Sequence, residues 1–158
     1  MGEFNKEFMD EAVKMSRENV KNGTGGPFGA VIVKDGKIIA KGSNKVTVKN
    51  DPTAHAEVET IREACKALNT FNLSGCEIYT SCEPCPMCLA AIYWARLDKI
   101  YYANNKHHAA EIGFDDKFIY DELDLAHDAR SIPMLHYHSD EALEVFKAWQ
   151  ENEDKIEY

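Results

Sequence analysis

The sequence contains no apolar run near the roughly 20 residues that a membrane-spanning helix requires. Its start, MGEFNKEFMDEAVK, has no basic stretch followed by an apolar one, so we expect no signal peptide. Lys6 also stands where a myristoylation pattern that begins at Gly2 needs Ser or Thr. These absences predict a cytoplasmic protein with no membrane partner.

Positive charge is scarce as well, because 18 Lys and Arg stand against 27 Asp and Glu, a net charge of −9. Affinity for a phosphate backbone depends on basic side chains, so we expect no nucleic-acid partner. Internal repeats, low-complexity segments and linkers are also missing. The 158 residues therefore fit a single domain, 1–158, that is long enough to bury a core.

What the chain does contain is an alternation of helix and strand patterns. Residues 4–20 show an amphipathic helical pattern, and FGAVIVKDGKIIAKG reads as two strands joined at Asp35-Gly36. The later pattern predicts, in order, a helix over 55–68, a strand CEIYTS, a buried helix PMCLAAIYWARL, a strand KIYYAN, a last strand PMLHYH and a C-terminal helix. This order predicts an α/β layered domain whose mixed sheet carries helices on both faces.

Five cysteines are present, and three of them fall within the stretch SCEPCPMC, residues 81–88. An odd, clustered set favours a metal or catalytic use in a reducing compartment over a disulfide scaffold. A ferredoxin pattern would place its fourth cysteine at position 92, which is Ile92. A redox C-x-x-C pair usually follows the first strand of its unit, whereas this one falls past the midpoint of the chain. Zinc fits the cluster better than either.

Two kinds of zinc site are compatible with the cluster. A structural site would use four protein ligands, Cys82, Cys85, Cys88 and His55. A catalytic site would use three and keep a place for water; Pro86 suits a helix start, which puts Cys85 and Cys88 in the first turn. His55-Ala56-Glu57 could supply the third ligand and a proton-transfer carboxylate. Positions two apart do not share a helix face, so both side chains would have to reach past a helix end.

The spacing H-x-E…P-C-x-x-C is the known signature of zinc-dependent nucleobase deaminases. With GGPFGAVIVKDG, DPTAHAEV, YTSCEPCPMCLAAIYWAR, AEIGFDDKFIY and the final tyrosine, the chain resembles the bacterial guanine deaminases from about residue 5 to its end. The resemblance implies a three-layer α/β/α cytidine-deaminase-like fold with a central mixed sheet of about five strands. It also implies a homodimer whose C-terminal segment is swapped onto the partner subunit.

The same resemblance implies the roles of individual residues. His55, Cys85 and Cys88 would hold one catalytic Zn²⁺ per chain, and Glu57 would shuttle protons while guanine, a purine base, is hydrolysed to xanthine and ammonia. The implied substrate contacts are Asn44 and Asp116 on the polar edge of the base, Phe28 against its face, Trp94 as a weaker contact, and Tyr158 from the partner subunit as a cap. Each of these five also has an ordinary explanation as a turn, loop, core or tail residue.

Other activities stay open on this scaffold. Guanosine, cytosine or another nucleobase, or the adenosine of a tRNA could be the substrate, although the acidity of the chain disfavours tRNA. A non-catalytic structural-zinc module is the alternative from a different class. Glu57 argues against such a module, because no structural site requires a carboxylate there.

Overall fold

A computed structural model describes residues 3–158 of the chain. Its elements are, in order, α1 (Lys6–Lys21), β1 (Gly29–Lys34), β2 (Lys37–Ser43), α2 (Val46–Lys49), α3 (Ala56–Leu68), β3 (Cys76–Cys82), α4 (Pro86–Trp94), β4 (Lys99–Asn104), α5 (Lys106–Glu111), α6 (Lys117–Leu123) and α7 (Asp140–Glu151). Two compact units are present: the first ends at Phe118 and the second is Ile119–Tyr158. Among the described residues no helix is both long and apolar enough to cross a membrane.

The first unit is built on a mixed sheet with the strand order β2-β1-β3-β4. Strand β1 runs antiparallel to both β2 and β3, whereas β3 and β4 are parallel. The predicted hairpin is present, and its turn residues Asp35 and Gly36 have φ angles of 48° and 71°. Both values lie in the left-handed region, which a two-residue hairpin turn of this hand requires. The expected mixed sheet is confirmed.

Helices cover both faces of this sheet, as the sequence predicted. On one face Met9 and Ala12 of α1 pack against Val31 of β1 and Tyr79 of β3. On the other face a cluster of buried residues includes Ala30 of β1, together with residues of α3, β3 and α4. Successive strand side chains point to opposite faces, so neighbouring residues of β1 belong to the two different clusters. The three-layer α/β/α arrangement follows from this alternation.

The expected fifth strand, PMLHYH at residues 133–138, is wrong. Within the described residues this segment pairs with no strand, and the sheet has four strands rather than about five. Its alternating pattern gives it strand propensity, but a strand forms only where a neighbour exchanges backbone hydrogen bonds with it. The segment's apolar members, Leu135 and Tyr137 among them, are exposed. The single swapped domain over 1–158 stays a prediction.

The expectation that the helix PMCLAAIYWARL is buried holds for one of its faces only. Only Cys88 and Ile92 of α4 are buried, while Tyr93 and Trp94 are 71% and 61% exposed. A uniformly apolar sequence predicts a helix that is buried all round. Here only one side of α4 packs against the core, and its aromatic C-terminal end is exposed to solvent. Trp94 is therefore not the core residue that the apolar composition of this helix suggested.

Candidate active site

The first half of the site lies at the start of α3. His55 is the residue before the helix, with extended φ and ψ angles of −68° and 156°, and Glu57 is the second helical residue. Because His55 precedes the helix, the rule that positions two apart point to different helix faces does not apply to it. Its imidazole and the Glu57 carboxylate both reach the sulfur of Cys88. The side chain of His55 makes no capping hydrogen bond to the helix. The ordinary explanation of a histidine at a helix start therefore does not apply.

The second half lies at the start of α4. Cys85 is the residue before this helix, Pro86 is its first residue, and the Cys88 N–H donates a 3.5 Å hydrogen bond to the Cys85 sulfur. Proline suits the first helical position because its missing N–H would have no partner there. Cys85 and Cys88 are thereby held side by side at the helix mouth, as the sequence predicted.

The two halves meet in a cluster of three possible metal ligands. The Nδ1 atom of His55 lies 3.5 Å from the sulfur of Cys85 and 3.5 Å from that of Cys88. A tetrahedral zinc ion, with Zn–S of about 2.3 Å and Zn–N of about 2.0–2.1 Å, places nitrogen and sulfur ligands about 3.5 Å apart. One imidazole and two thiols are also donors that zinc prefers. The residues present therefore fit a zinc ion.

The three side chains of the cluster differ in how strongly they hold their protons. The pKa of the Cys85 thiol is lowered, because the Cys88 side chain donates a hydrogen bond to it and His55 lies beside it. The pKa of His55 is raised by its hydrogen bond to Cys85, against the opposing effect of burial. The pKa of Cys88 is raised by its hydrogen bond to Cys85 and by burial. A thiolate is thus favoured at Cys85 even before a metal neutralises it.

Cys82 stands apart from this cluster. Among the described residues, the group of donors close enough to hold a metal is His55, Cys85 and Cys88, all within 4.8 Å of one another. The sulfur of Cys82 instead lies 3.9 Å from the carbonyl oxygen of Asn105, and burial raises the pKa of its thiol to about 11. The four-ligand structural site is therefore not the arrangement observed. Three protein ligands are the number that leaves a catalytic zinc a place for water.

Glu57 is buried directly against the cluster, with only 6% of its surface exposed. Its Oε2 atom lies 3.4 Å from the Cys88 sulfur, and its Oε1 atom accepts a 3.2 Å hydrogen bond from Thr80. Burial is the main cause that raises its pKa. A carboxylate that only capped the helix start would face solvent, whereas this one is buried and faces the cluster.

Phe28, just before β1, and Asn44, just after β2, are joined to each other by their backbones. The Asn44 N–H donates to the Phe28 carbonyl at 3.1 Å, and its side-chain Oδ1 accepts from the Val46 N–H at 3.2 Å. The buried Asn19 of α1 stabilises the backbone here. Its Nδ2 atom donates to the Asn44 carbonyl at 2.9 Å and to the Gly26 carbonyl at 2.8 Å. These hydrogen bonds hold Phe28 and Asn44, which sequence reasoning assigned to the base, next to each other.

Asp116 approaches the site from the segment after α5. Its Oδ1 atom is buried and has no hydrogen-bond partner among the described residues. Burial raises its pKa, and the negative charge of Cys85 adds to the effect. A buried acceptor without a donor is costly, and the role of Asp116 in binding the base stays a prediction. Phe114 of the same segment packs edge-on against Phe28, with ring centroids 4.9 Å apart.

One predicted contact, Trp94, lies at the far end of its helix from the cluster. Trp94 is the last residue of α4, six residues beyond Cys88 and thus about 9 Å farther along the helix. It lies next to Arg96, whose guanidinium is 5.7 Å from its ring centroid. Tyr158 ends the second unit and is exposed. Its role as a cap stays a prediction.

Sequence reasoning missed Asn19, Thr80 and Phe114. Asn19 carries no signal of its own in the sequence. Phe114 belongs to the quoted stretch AEIGFDDKFIY, but its contact with Phe28 joins segments that are far apart along the chain. Thr80 gave a weak signal, because it is a hydroxyl residue at an inward position of β3, between the apolar Ile78 and Cys82. Strands favour threonine for its shape alone, so the signal was not specific.

Comparison with known proteins agrees with this geometry. A sequence model of the cytidine and deoxycytidylate deaminase zinc-binding region matches residues 3–104, and the chain therefore belongs to this family. Guanine deaminase of Bacillus subtilis is 56% identical over 151 residues, which is 96% of this chain and 97% of that protein. An X-ray structure of guanine deaminase from Bacillus subtilis matches with a TM-score of 0.95, 54% identity and 99% coverage of each chain.

A more distant relative marks the breadth of the family. The tRNA-specific adenosine deaminase of Aquifex aeolicus is 42% identical over 120 residues, which is 75% of this chain and 76% of that protein. The likeness to bacterial guanine deaminases that the sequence suggested is thus confirmed, and zinc is the metal of this family.

Proposed function

We propose that this protein hydrolyses guanine to xanthine and ammonia with one zinc ion per chain. The observation that carries the proposal is the placement of Glu57, a buried carboxylate that faces the two thiols and the imidazole. The match to a guanine deaminase over 96% of the chain supports guanine as the base. The net charge of −9 speaks against tRNA, the substrate named for the more distant relative.

His55, Cys85 and Cys88 are the residues that would hold the zinc ion. With zinc bound, such a site supplies a water molecule whose pKa is lowered towards about 7, so that it attacks as a nucleophile at neutral pH. The protein's own contribution is to fix three ligands at two helix starts and to leave the fourth position free for that water.

Glu57 moves the protons of the reaction. We assign to its Oε2 atom the removal of a proton from water and the delivery of that proton to ring atom N3 of guanine. The second hydrogen of water then passes by the same carboxylate to the amine that leaves from C2. One C–N bond breaks and one C–O bond forms. The hydrogens of water end on N3 of xanthine and in ammonia.

Asp116, Asn44 and Phe28 account for recognition of the base. Guanine presents N–H donors along one edge, and the unpartnered Oδ1 of Asp116 is an acceptor of the right kind. We assign the amide of Asn44 to an acceptor on the base, and the ring of Phe28, supported by Phe114, to its face. Bases without the matching donors would leave Asp116 buried and unpaired, which is the basis of strong discrimination.

The proposal is tested by ammonia release from guanine, guanosine, cytosine and adenine, each mixed with the zinc-loaded protein. Guanine should be converted fastest, because it alone among the free bases tested carries an amino group at C2. Faster release from cytosine or adenine would assign a different substrate to the site. Release from guanosine at the rate of guanine would show that the site accepts a ribose.

Asp116→Asn should lower kcat/KM for guanine by about 10- to 100-fold, since a hydrogen bond to a charged group contributes about 1.5–3 kcal/mol. The matched control is Asp115→Asn, because Asp115 is the adjacent aspartate and is exposed, with its carboxylate accepting from the Phe118 N–H. Equal effects of the two variants would contradict the assignment of Asp116 to the base.

We also propose a homodimer whose C-terminal segment crosses to the partner subunit. None of the residues from 119 to 158 is buried, although α7 carries Leu143, Phe146 and Trp149. Such an extensive exposed apolar surface needs a partner. A second copy suits this surface, because β4 is an edge strand and the strand-like segment 133–138 pairs with no strand among the described residues of its own chain. Tyr158 would then cap the partner's site.

Removal of Glu157 and Tyr158 tests the cap. We expect kcat/KM for guanine to fall severalfold while the dimer stays intact, as measured by turnover and by light scattering on the same sample. Glu157→Gln, which keeps the aromatic terminus, should behave as the full chain does. Unchanged turnover by an intact truncated dimer would rule out the cap.

A further inference from the structure

Thr80 is a buried hydroxyl residue next to the proton-shuttling carboxylate. It is 1% exposed and lies in β3 between Ala30 of β1 and Tyr102 of β4, its paired neighbours in the sheet. Strand alternation puts it on the same face as Ile78 and Cys82. This is the face on which α3 packs, and α3 carries Glu57.

The hydroxyl of Thr80 lies between two acceptors. Its Oγ1 atom is 3.2 Å from Oε1 of Glu57 and 3.0 Å from the carbonyl oxygen of Cys82. A hydroxyl has one proton to donate, and an ionised carboxylate is a stronger acceptor than a carbonyl group. When the hydroxyl proton points to the Cys82 carbonyl, the lone pairs of Oγ1 can accept a hydrogen bond from a protonated Glu57. Thr80 can therefore contact Glu57 in either protonation state of the carboxyl group.

The two oxygens of Glu57 have different surroundings. Oε1 meets Thr80, whereas Oε2 lies 3.4 Å from the Cys88 sulfur, on the side of the metal ligands. The terminal torsion of a glutamate is broad, so nothing in the side chain itself fixes which way the carboxyl plane turns. A contact at Oε1 is what holds Oε2 towards the reacting atoms.

Few other side chains could hold Oε1 of Glu57 in this way. Among the described residues, the side chains that hydrogen-bond to Glu57 are those of Thr80 and Cys88. A cysteine that ligates zinc is a thiolate and no longer donates. Thr80 then remains as the side-chain donor to the carboxylate.

We propose that Thr80 is a positioning residue that holds Oε1 of Glu57 and keeps Oε2 facing the His55–Cys85–Cys88 cluster. This inference rests on the proposed deaminase function, in which Glu57 carries the protons. The hydroxyl of Thr80 contacts Glu57 and the Cys82 carbonyl, and Thr80 is not one of the three candidate metal ligands. Its loss therefore affects the chemical step more than the binding of guanine.

The test is Thr80→Val, which keeps the branched shape and removes the hydroxyl. We expect kcat for guanine to fall about 10- to 100-fold, the size of effect that a displaced catalytic group produces, with little change in KM. Zinc per chain should stay at the wild-type value, and Thr80→Ser, which restores a hydroxyl, should recover most of kcat. Thermal unfolding of each variant, measured on the same samples, reports whether it is folded.

Ser81→Ala is the matched control. Ser81 is the adjacent residue, it is also buried, and its hydroxyl accepts from the Gly29 N–H rather than from the site. We expect its kcat to equal that of wild type. An unchanged kcat in folded, zinc-loaded Thr80→Val would overturn the inference about Thr80 and leave the deaminase proposal standing. Failure of Thr80→Ser to recover kcat, or a rise in KM alone, would overturn it as well, whereas absence of turnover by wild type on every base would overturn both proposals.

Discussion

Glu57→Gln is expected to reduce ammonia release from guanine by about 10²- to 10⁴-fold, the range that a positioned general acid and base contributes. Glutamine has nearly the same shape and can still accept a hydrogen bond from Thr80, which contacts Oε1 at 3.2 Å in the wild type. It cannot take a proton from water or return one to the base. The loss should therefore appear in kcat, with zinc content unchanged.

Glu59→Gln is the matched control for this variant. Glu59 lies on the same helix and is also buried, but its carboxylate pairs with Lys49 and Arg62 rather than with the cluster. Its substitution should lower the thermal unfolding temperature through the lost ion pairs and leave kcat near that of wild type. Comparable ammonia release by Glu57→Gln and wild type would refute the assignment of the proton shuttle.

Cys85→Ala or Cys88→Ala is expected to abolish stable zinc binding, whereas Cys82→Ala should retain about one zinc per chain. The first two changes remove one of three protein ligands, and the remaining two cannot hold the ion against dialysis with a mild chelator. Cys82 contributes no ligand, because its sulfur contacts the Asn105 carbonyl instead. Zinc measured by elemental analysis after dialysis separates these outcomes.

A second measurement makes this comparison independent of activity. A ligand that binds only the folded state raises the unfolding temperature, so a strong chelator should lower that temperature for wild type and for Cys82→Ala. The same chelator should have no effect on dialysed Cys85→Ala. Loss of zinc from folded Cys82→Ala would instead indicate the four-ligand structural site and would contradict the catalytic assignment.

Local patterns were enough to predict most of the elements. The strand KIYYAN forms as β4 with the same bounds, and the hairpin turns at Asp35-Gly36. Residues 55–68 form a helix from Ala56, with His55 just before it. These features depend on periodicity, turn chemistry and proline or capping preferences, all of which act over a few neighbouring residues.

Patterns failed where the outcome depended on what a segment packs against. PMLHYH has the alternation of a strand but pairs with no strand within residues 3–158, which the structure describes. Helix α4 is apolar throughout, yet only one of its faces meets the core and Trp94 is exposed. Periodicity reports a preference for burial or pairing, and the neighbours decide whether that preference is met.

The sequence by itself determined the donor set, since the motif names His55, Glu57, Cys85 and Cys88, and the helix starts beside them follow from local rules. Only the tertiary structure decided that Cys82 is left out and that Oε1 of Glu57 contacts Thr80. It also decided that an oxygen of Asp116 is buried with no hydrogen-bond partner in the part of the chain that the structure describes. The reason is physical. A motif fixes which groups are available, but ligation, proton transfer and recognition depend on distances and desolvation, and these arise only when helices from separate parts of the chain pack on one sheet.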